Sequence, residues 1–355
     1  MLNLPNLPKI NLPSLSSKKN QETVAVDLGS SFVKIVQIGK QGEILQTLTV
    51  PNTLGYSVPT KTTQIDGTAN FLKGIFEENH LPKTNLSLAL PEKIVSTQVI
   101  SIPTLTDSEL ASSINWQAQQ YIPIPKEELV LNYQVLYRPD KKDSATQEMR
   151  VLLIGINQEN LNNLLAAYKQ AGLEPTVLET ESLSVMRHLP ADLRGDSASM
   201  IMNFGASGFD LCLTKGTEIA MALSHQTGSL MITRALMNTF NLPMDKAEEY
   251  KWYYGVDARH AEGKIAQAIV PLMQTILGDI KNTLTFFNNQ NPTQSISRLF
   301  VCGGGAMMPG FPELLAANLN LEVLPLGVFD NTVGSIPENN HLIYAVASGL
   351  TKRKR

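Results

Sequence analysis

One short turn in this sequence combines residue types that suit phosphate binding. It follows the apolar run Val24–Val26 and precedes Phe32–Ile38, in which apolar and polar residues alternate as in a strand. Gly29 lets the backbone approach an anion closely. Ser30 and Ser31 offer hydroxyl and N–H donors, and Lys34 supplies an ammonium group. Asp27 would then face the cation that accompanies the phosphates. Gly-Ser turns between strands are common, so this hairpin alone is a weak signal of nucleotide binding.

Two later segments repeat the features of this hairpin. Ser199–Leu213, SMIMNFGASGFDLCL, has a strand pattern, a Gly-Ala-Ser-Gly turn and a second strand pattern, and Leu299–Pro309, LFVCGGGAMMP, runs from a strand pattern into three glycines. Three loops of this kind, in this order, resemble the phosphate-1, phosphate-2 and adenosine motifs of the actin, Hsp70 and sugar kinase superfamily. The resemblance implies an α/β protein of two domains with ATP in the cleft between them.

The resemblance also implies roles for individual residues. The first turn and Lys34 would hold the β- and γ-phosphates from one side, and the residues expected on the other side are Gly205, Ala206 and Ser207. Adenosine would lie against the bare backbone of Gly303, Gly304 and Gly305. Glu248 and Lys251, one helical turn apart, stand where relatives contact the ribose and base, and a solvated i,i+3 ion pair explains these two residues equally well.

One departure from the superfamily pattern concerns the metal. The second loop usually begins with Asp, in the pattern D-x-G-x-x-x-x-D, but this sequence has Asn203 there and keeps only Asp210. Mg²⁺ in phosphate sites depends on carboxylates, phosphates and waters, so the amide removes a charge that would position the ion. We therefore expect ATP and Mg²⁺ to bind, with Asp27 facing the metal, and hydrolysis to be weak or absent. Glu181 stands where relatives orient the attacking water, although a glutamate at a helix start also serves the helix dipole.

The segment from Val95 to Gln170 looks like an inserted module. Its patterns run in the order strand, helix, strand, strand, helix, and a polar hairpin tip is expected at residues 140–147. This order predicts a small sheet with helices on one face.

One part of the insertion is more specific. Residues 114–125 read INWQAQQYIPIP, and the pattern W-x-A-x-x-Y-I-P-x-P is followed by acidic residues and the strand pattern Asn132–Leu136. This combination resembles the PilM family, the actin-like cytoplasmic proteins of type IV pilus assembly. The resemblance covers about residues 22–350, and the three loops and the insertion agree with it in order and spacing.

Resemblance to that family implies a cytoplasmic scaffold that is recruited to the inner membrane face only through its partners. Such proteins bind the N-terminal tail of PilN, a single-span membrane protein, between the first domain and the insertion. The residues expected near that groove are Trp116, Tyr121, Ile122, Pro123 and Ile124. Tyr121 and Ile122 are favoured for the groove itself, with core packing as the alternative. Pilus motor ATPases and self-association are further partners that this interpretation allows, and nucleic acid is not among them.

Two other functions in the superfamily stay open at this stage. An FtsA-like, filament-forming division protein would end in an amphipathic membrane helix, whereas this sequence ends in Gly349-Leu350-Thr351 and four basic residues. A sugar or acetate kinase needs a catalytic base in the cleft, and no motif here places an Asp or His in that role. The pilus scaffold is therefore the preferred interpretation.

Composition excludes several other classes of protein. With 355 residues, 43% hydrophobic and 17% charged, the chain is typical of a globular protein with room for two domains. A net charge of −3 gives no general attraction to nucleic acid or anionic membranes. No apolar run reaches membrane-spanning length, and residues 1–20 lack the apolar centre of a signal peptide. Cys212 and Cys302 lie in apolar strand patterns, which favours buried thiols in a reducing cytoplasm.

Together these patterns predict an α/β, two-domain actin-like fold in which a ribonuclease H-like unit is repeated and a small α/β subdomain of the FtsA or PilM type is inserted. The expected parts are a disordered arm (1–20), a first subdomain 1A (21–94 and 175–196), the inserted subdomain 1C (95–174), a second core subdomain 2A (197–244 and 299–355) and a helical subdomain 2B (245–298). The arm repeats Asn-Leu-Pro three times, and Ile10-Asn11-Leu12-Pro13 resembles the signature of the PilN tail. It is either an accidental repeat in a disordered arm or an imitation of the partner in the same groove.

Overall fold

The first part of the chain builds the sheet that carries the first predicted turn. A computed structural model describes residues 22–139, 148–190, 193, 198–292 and 294–353, so the predicted arm and the tip of the predicted hairpin lie outside the described residues. The first elements are β1 (Thr23–Leu28), β2 (Phe32–Ile38), β3 (Ile44–Pro51), α1 (Thr62–Glu78) and β4 (Leu86–Leu90). Helix α1 begins with a polar turn, and its buried face starts at Thr68.

The inserted module follows β4. Its elements are β5 (Val95–Pro103), α2 (Asp107–Tyr121), β6 (Leu129–Tyr137), β7 (Glu148–Asn157) and α3 (Gln158–Gln170). Thr106 and Glu109 form a capping box at the start of α2, and the side chain of Asn157 accepts from the backbone at the start of α3. The predicted order of strands and helices is therefore confirmed, and local capping explains where both helices begin.

The second half of the chain begins after the return to the first sheet. The returning elements are β8 (Pro175–Thr180) and α4 (Glu181–Val185). The next elements are β9 (Ala198–Phe204), β10 (Phe209–Lys215), β11 (Glu218–His225), α5 (Ser229–Phe240), α6 (Met244–Tyr254) and α7 (Lys264–Gln290). The last are β12 (Ile296–Cys302), α8 (Phe311–Leu319), β13 (Glu322–Pro325) and α9 (Ala345–Thr351). Strand β11 was not predicted, and α7 continues as one helix through Pro271.

The two large sheets have the same topology. The first has the order β3-β2-β1-β4-β8 and the second the order β11-β10-β9-β12-β13. In both, the first three strands pair antiparallel and the last two join in parallel. The fold is therefore a duplicated α/β unit, which confirms the predicted fold class.

The core lies in layers around these sheets. One face of the first sheet packs against α1 and α3, and one face of the second packs against α5 and α7. The remaining faces share a core with α4 and α9. These two helices touch closely, because the Ser184 hydroxyl donates to the Val346 carbonyl at 2.6 Å and a Cβ on Gly349 would lie 2.1 Å from the Ser184 carbonyl. Thus α9, from the end of the chain, packs on the first sheet although it follows the second.

The inserted module differs from the predicted arrangement of helices on one face. Its sheet has the order β5-β7-β6, and α2 covers one face with Leu110, Ile114 and Ala118. Helix α3 instead turns Leu161, Leu164 and Tyr168 into the core of the first sheet beside α1. The strand-helix pattern could not reveal this, because an amphipathic helix does not specify which sheet it covers. Among the described residues no helix has the length and apolar character to cross a membrane.

Candidate functional site

The first predicted turn is built around an ion pair. Asp27 and Lys34 are direct partners across β1 and β2, and the Lys34 Nζ lies 2.7 Å from the Asp27 Oδ2. The Asp27 side chain is 4% exposed and that of Lys34 is 15% exposed. Lys34 also lies directly under Gly29, where an added Cβ would approach the ammonium to 2.6 Å. The residues assigned separately to phosphate and to metal are therefore in direct contact with each other.

Two acidic side chains from opposite halves meet beside this pair. Glu181 is the first residue of α4, Asp210 lies on β10, and their carboxyl groups are in hydrogen-bond contact. Burial first, and then the charges of Asp210 and Asp27, raise the pKa of Glu181 well above its usual value. Burial also raises the pKa of Asp210. Burial and the neighbouring acidic groups thus favour the protonated form of Glu181.

A third acidic residue links this site to the inserted module. Glu92 is 3% exposed and lies between β4 and β5, where its carboxylate accepts from the Thr97 hydroxyl at 2.8 Å and the Ser182 N–H at 3.2 Å. Burial, and then the charge of Asp210, raise the pKa of Glu92 to about 7. No motif pointed to Glu92, because its partners are distant in the sequence.

The second predicted loop is fixed against a helix start. Asn203 lies directly opposite Asp210 across β9 and β10, so the amide and the remaining carboxylate of the pattern are neighbours. The loop closes with a bond from the Gly205 N–H to the Gly208 carbonyl at 2.9 Å. At the start of α5, Ser229 donates to Gly205 and Leu230 donates to Ala206, both at 3.0 Å, while Ser207 is exposed.

The three glycines after β12 differ in whether a side chain would fit at their positions. Gly303 has a φ of +84°, and a Cβ there would lie 2.5 Å from the Phe204 carbonyl. At Gly305 a Cβ would lie 2.6 Å from the Phe204 ring. Gly304 is more open, since the nearest atom to a Cβ there is the Ile343 Cγ2 at 3.9 Å. Packing on Phe204 thus accounts for two glycines, and Gly304 is the position with space for a ligand beside it.

The predicted pair on α6 is an internal ion pair rather than a solvated one. The Lys251 Nζ lies 2.8 Å from the Glu248 Oε1 and 2.9 Å from the Thr233 hydroxyl, with only 3% of the Lys251 side chain exposed. Burial lowers the pKa of Lys251. The Glu248 side chain is 31% exposed, and its other oxygen accepts from the Trp252 indole at 3.0 Å. The geometry leaves Glu248, and not Lys251, accessible to a ligand.

The predicted partner residues differ in exposure. Trp116 and Tyr121 are exposed, at 63% and 43%, and Pro123 is also exposed, while Ile124 is half-buried. Ile122 is only 2% exposed and packs in the core of the module over Gly155, where a Cβ would lie 2.8 Å from the Ile122 Cγ2. The prediction that the Ile122 side chain faces the groove therefore needs correction, because the turn after α2 directs it inward.

The duplicated sheet and these loops define a protein with the actin-like ATPase fold. Solved structures with the same fold include the ethanolamine utilization protein EutJ from Carboxydothermus hydrogenoformans (15% identity, TM-score 0.57, 93% of this chain and 89% of that chain) and MreB5 of Spiroplasma citri bound to AMPPNP (11%, 0.54, 93% and 94%). The PilM-PilN type IV pilus biogenesis complex matches at 23% identity with a TM-score of 0.81, over 94% of this chain and 98% of that chain.

The particular family follows from the sequence itself. The model of the family described as type IV pilus assembly protein PilM matches residues 25–355. The chain belongs to this family, and it is an actin-like protein of type IV pilus assembly. The resemblance noted in the insertion and the three loops is confirmed, and the division-protein and kinase alternatives are not favoured.

Proposed function

We propose that this protein is a nucleotide-binding scaffold that holds ATP with Mg²⁺ between its two sheets. The observation that carries the proposal is the position of Glu181 on α4, which contacts β10 of the second sheet, because Glu181 lies near both Asp27 of the first hairpin and Asp210 of the second. The fold similarity to MreB5, which was solved with AMPPNP and with ADP, supports a nucleotide as the ligand.

The residues at this site fit a magnesium ion that is held mainly by the nucleotide. Asp27 offers a carboxylate beside the turn, although Lys34 already contacts one of its oxygens. Among the described residues, no group of three or more acidic, His or Cys side chains could hold a metal by itself. Mg²⁺ commonly uses one or two carboxylates together with phosphates and waters, so this donor set suits a nucleotide-dependent ion. When bound, the ion would neutralise phosphate charge.

Weak hydrolysis fits the same chemistry. Asn203, opposite Asp210, lacks the charge that would position the metal, and the raised pKa of Glu181 favours its protonated form. A protonated carboxyl group is a poor acceptor for the proton of an attacking water. The site therefore supports binding better than turnover.

The partner in this proposal is the N-terminal tail of a PilN-like membrane protein. The tail would bind as an extended segment in a groove between the first sheet and the inserted module, and it would bring the scaffold from the cytoplasm to the inner membrane face. The structural similarity to the PilM-PilN complex supports this partner. Trp116 and Tyr121 supply exposed aromatic side chains on the module for such a contact.

Calorimetric titration tests both parts of the proposal. AMPPNP is titrated into the protein with Mg²⁺ and with EDTA, and a synthetic peptide of the partner tail is titrated separately. We expect saturable binding of both ligands, with tighter AMPPNP binding in Mg²⁺. Absence of AMPPNP binding by the folded protein would refute the nucleotide site, and absence of peptide binding would refute the partner groove.

A further inference from the structure

A buried asparagine lies behind the first turn, twenty-three residues after Gly29 in the sequence. Asn52 follows β3 directly and is 9% exposed. Its side-chain Nδ2 donates to the Gly29 carbonyl at 2.7 Å, and its backbone N–H donates to the Ser31 carbonyl at 2.8 Å. Two carbonyl groups of the phosphate-sized turn are thus held by one residue.

The rest of the Asn52 side chain is also engaged. Its Nδ2 makes a second bond, to the Tyr56 carbonyl at 2.8 Å, and its Oδ1 accepts from the Leu54 N–H at 2.9 Å. The Tyr56 hydroxyl in turn donates to the Gln64 carbonyl at 2.9 Å, in the first part of α1. The amide is therefore oriented by fixed partners on both sides, and the turn is connected through it to a helix of the first sheet.

This contact determines the direction in which the turn presents its donors. In a planar trans peptide the C=O and the following N–H point in opposite directions. Because the Gly29 carbonyl points at the Asn52 amide, the Ser30 N–H points away from it. An asparagine behind the turn therefore fixes a backbone donor on the opposite side, which a phosphate oxygen could use.

We propose that Asn52 is a positioning residue for phosphate binding at the first turn. The inference rests on the proposed nucleotide site and assigns to Asn52 the orientation of its first turn. Asn52 does not contact the ligand in this role. It lowers the cost of ordering the turn when the phosphates bind, because the donors are already in place.

Two substitutions separate this role from a general effect on folding. Asn52→Ala removes all the side-chain bonds, and Asn52→Asp keeps the acceptor for Leu54 but removes both donations from Nδ2. The matched control is Asn79→Asp, which removes a donation to the Ile75 carbonyl at the end of α1. Affinities for AMPPNP with Mg²⁺ and for adenosine are measured for each folded variant, and amide hydrogen exchange follows residues 29–32 without nucleotide.

We expect both Asn52 variants to lose about tenfold in AMPPNP affinity, consistent with the loss of about one or two hydrogen bonds, while adenosine binding stays within about twofold. Hydrogen exchange at the turn should become faster in both variants, and Asn79→Asp should match the unmodified protein.

A loss of AMPPNP affinity in Asn52→Asp alone would indicate charge repulsion and overturn the inference. Equal losses of affinity for AMPPNP and for adenosine would also overturn it. Where the unmodified protein binds AMPPNP with an affinity that Lys34→Ala lowers, an unchanged AMPPNP affinity in Asn52→Ala would refute only the role of Asn52. No AMPPNP binding by the unmodified protein would refute the nucleotide site and this role together.

Discussion

The carboxyl groups of Glu181 and Asp210 meet although one belongs to the helix after the first sheet and the other to the second strand of the second sheet. Two acidic groups in hydrogen-bond contact do not both ionise easily, which agrees with the raised pKa of each. A cation or a further carboxylate beside these two groups would change their pKa values. Asn203 is paired with Asp210 across β9 and β10, so a substitution at Asn203 is an informative way to alter the charge of the site.

Asn203→Asp should raise the Mg²⁺ dependence of nucleotide binding or the rate of ATP hydrolysis. The substitution places a second carboxylate directly across the strand pair from Asp210, where superfamily relatives position the metal. Phosphate release with Mg²⁺ and with EDTA measures the effect. Asn318→Asp, an exposed change on α8, is the control and should have no effect. Ordinary ATPase rates in the unmodified protein would contradict the role assigned to Asn203.

Lys34→Ala should weaken nucleotide binding by about 1.5–3 kcal/mol, because a charged hydrogen bond to phosphate is lost. Calorimetry with AMPPNP measures this loss, and Lys40→Ala, at an exposed lysine after the same strand, is the control. An unchanged affinity in folded Lys34→Ala would remove the first hairpin from the nucleotide site.

Lys34→Ala should also lower the stability of the protein, because it leaves the buried Asp27 carboxylate without the Lys34 ammonium. The expected fall in the free energy of unfolding is about 3–5 kcal/mol, the usual range when one partner of a buried ion pair is removed. Adding Asp27→Asn should recover much of that loss in urea unfolding. A single variant as stable as the double variant would show that the pair does not matter to the fold.

The hairpins and the triglycine loop were predictable because their signals are local. Strand alternation and a tight turn lie within a few residues, whereas the ion pair of Asp27 with Lys34 was not predicted. Glu92 and Asn52 were not predictable, since each acts on residues far away in the chain and neither sits in a recognisable pattern. Ile122 shows a third case, because the orientation of its side chain depends on the turn after α2, which the sequence pattern does not specify. The sequence pattern of an amphipathic helix likewise left open that α3 covers the first sheet.

Glu92→Gln should stabilise the protein above pH 7 and leave its stability nearly unchanged at pH 4.5. Glu92 has a usual pKa of 4.5 and a folded pKa of about 7, raised by burial and then by the charge of Asp210. Between these values the unfolded chain has lost the proton that the folded protein keeps, so stability falls as the pH rises through this window. This difference between the unfolded and folded pKa of Glu92 corresponds to roughly 3 kcal/mol in the free energy of unfolding.

The amide can keep both hydrogen bonds of Glu92, since its oxygen can accept from Ser182 and its NH₂ can donate to the Thr97 hydroxyl. Urea unfolding between pH 4.5 and pH 8 gives the free energy of unfolding for both proteins. Glu127→Gln, an exposed change in the inserted module, is the control. A difference between Glu92→Gln and the unmodified protein that did not grow with pH would contradict the assignment of a proton to buried Glu92.

Trp116→Ala should weaken binding of the partner tail while leaving the fold and nucleotide binding intact. The Trp116 side chain is 63% exposed on α2, so its removal costs little internal packing. Ile122→Asp should instead lower the stability of the module by several kcal/mol, because it places a charge in the core over Gly155. Thermal unfolding distinguishes the two variants, and titration of the tail peptide and AMPPNP gives both affinities. Full peptide affinity in Trp116→Ala would exclude this tryptophan from the partner surface, and a stable Ile122→Asp that lost only peptide binding would return Ile122 to the groove.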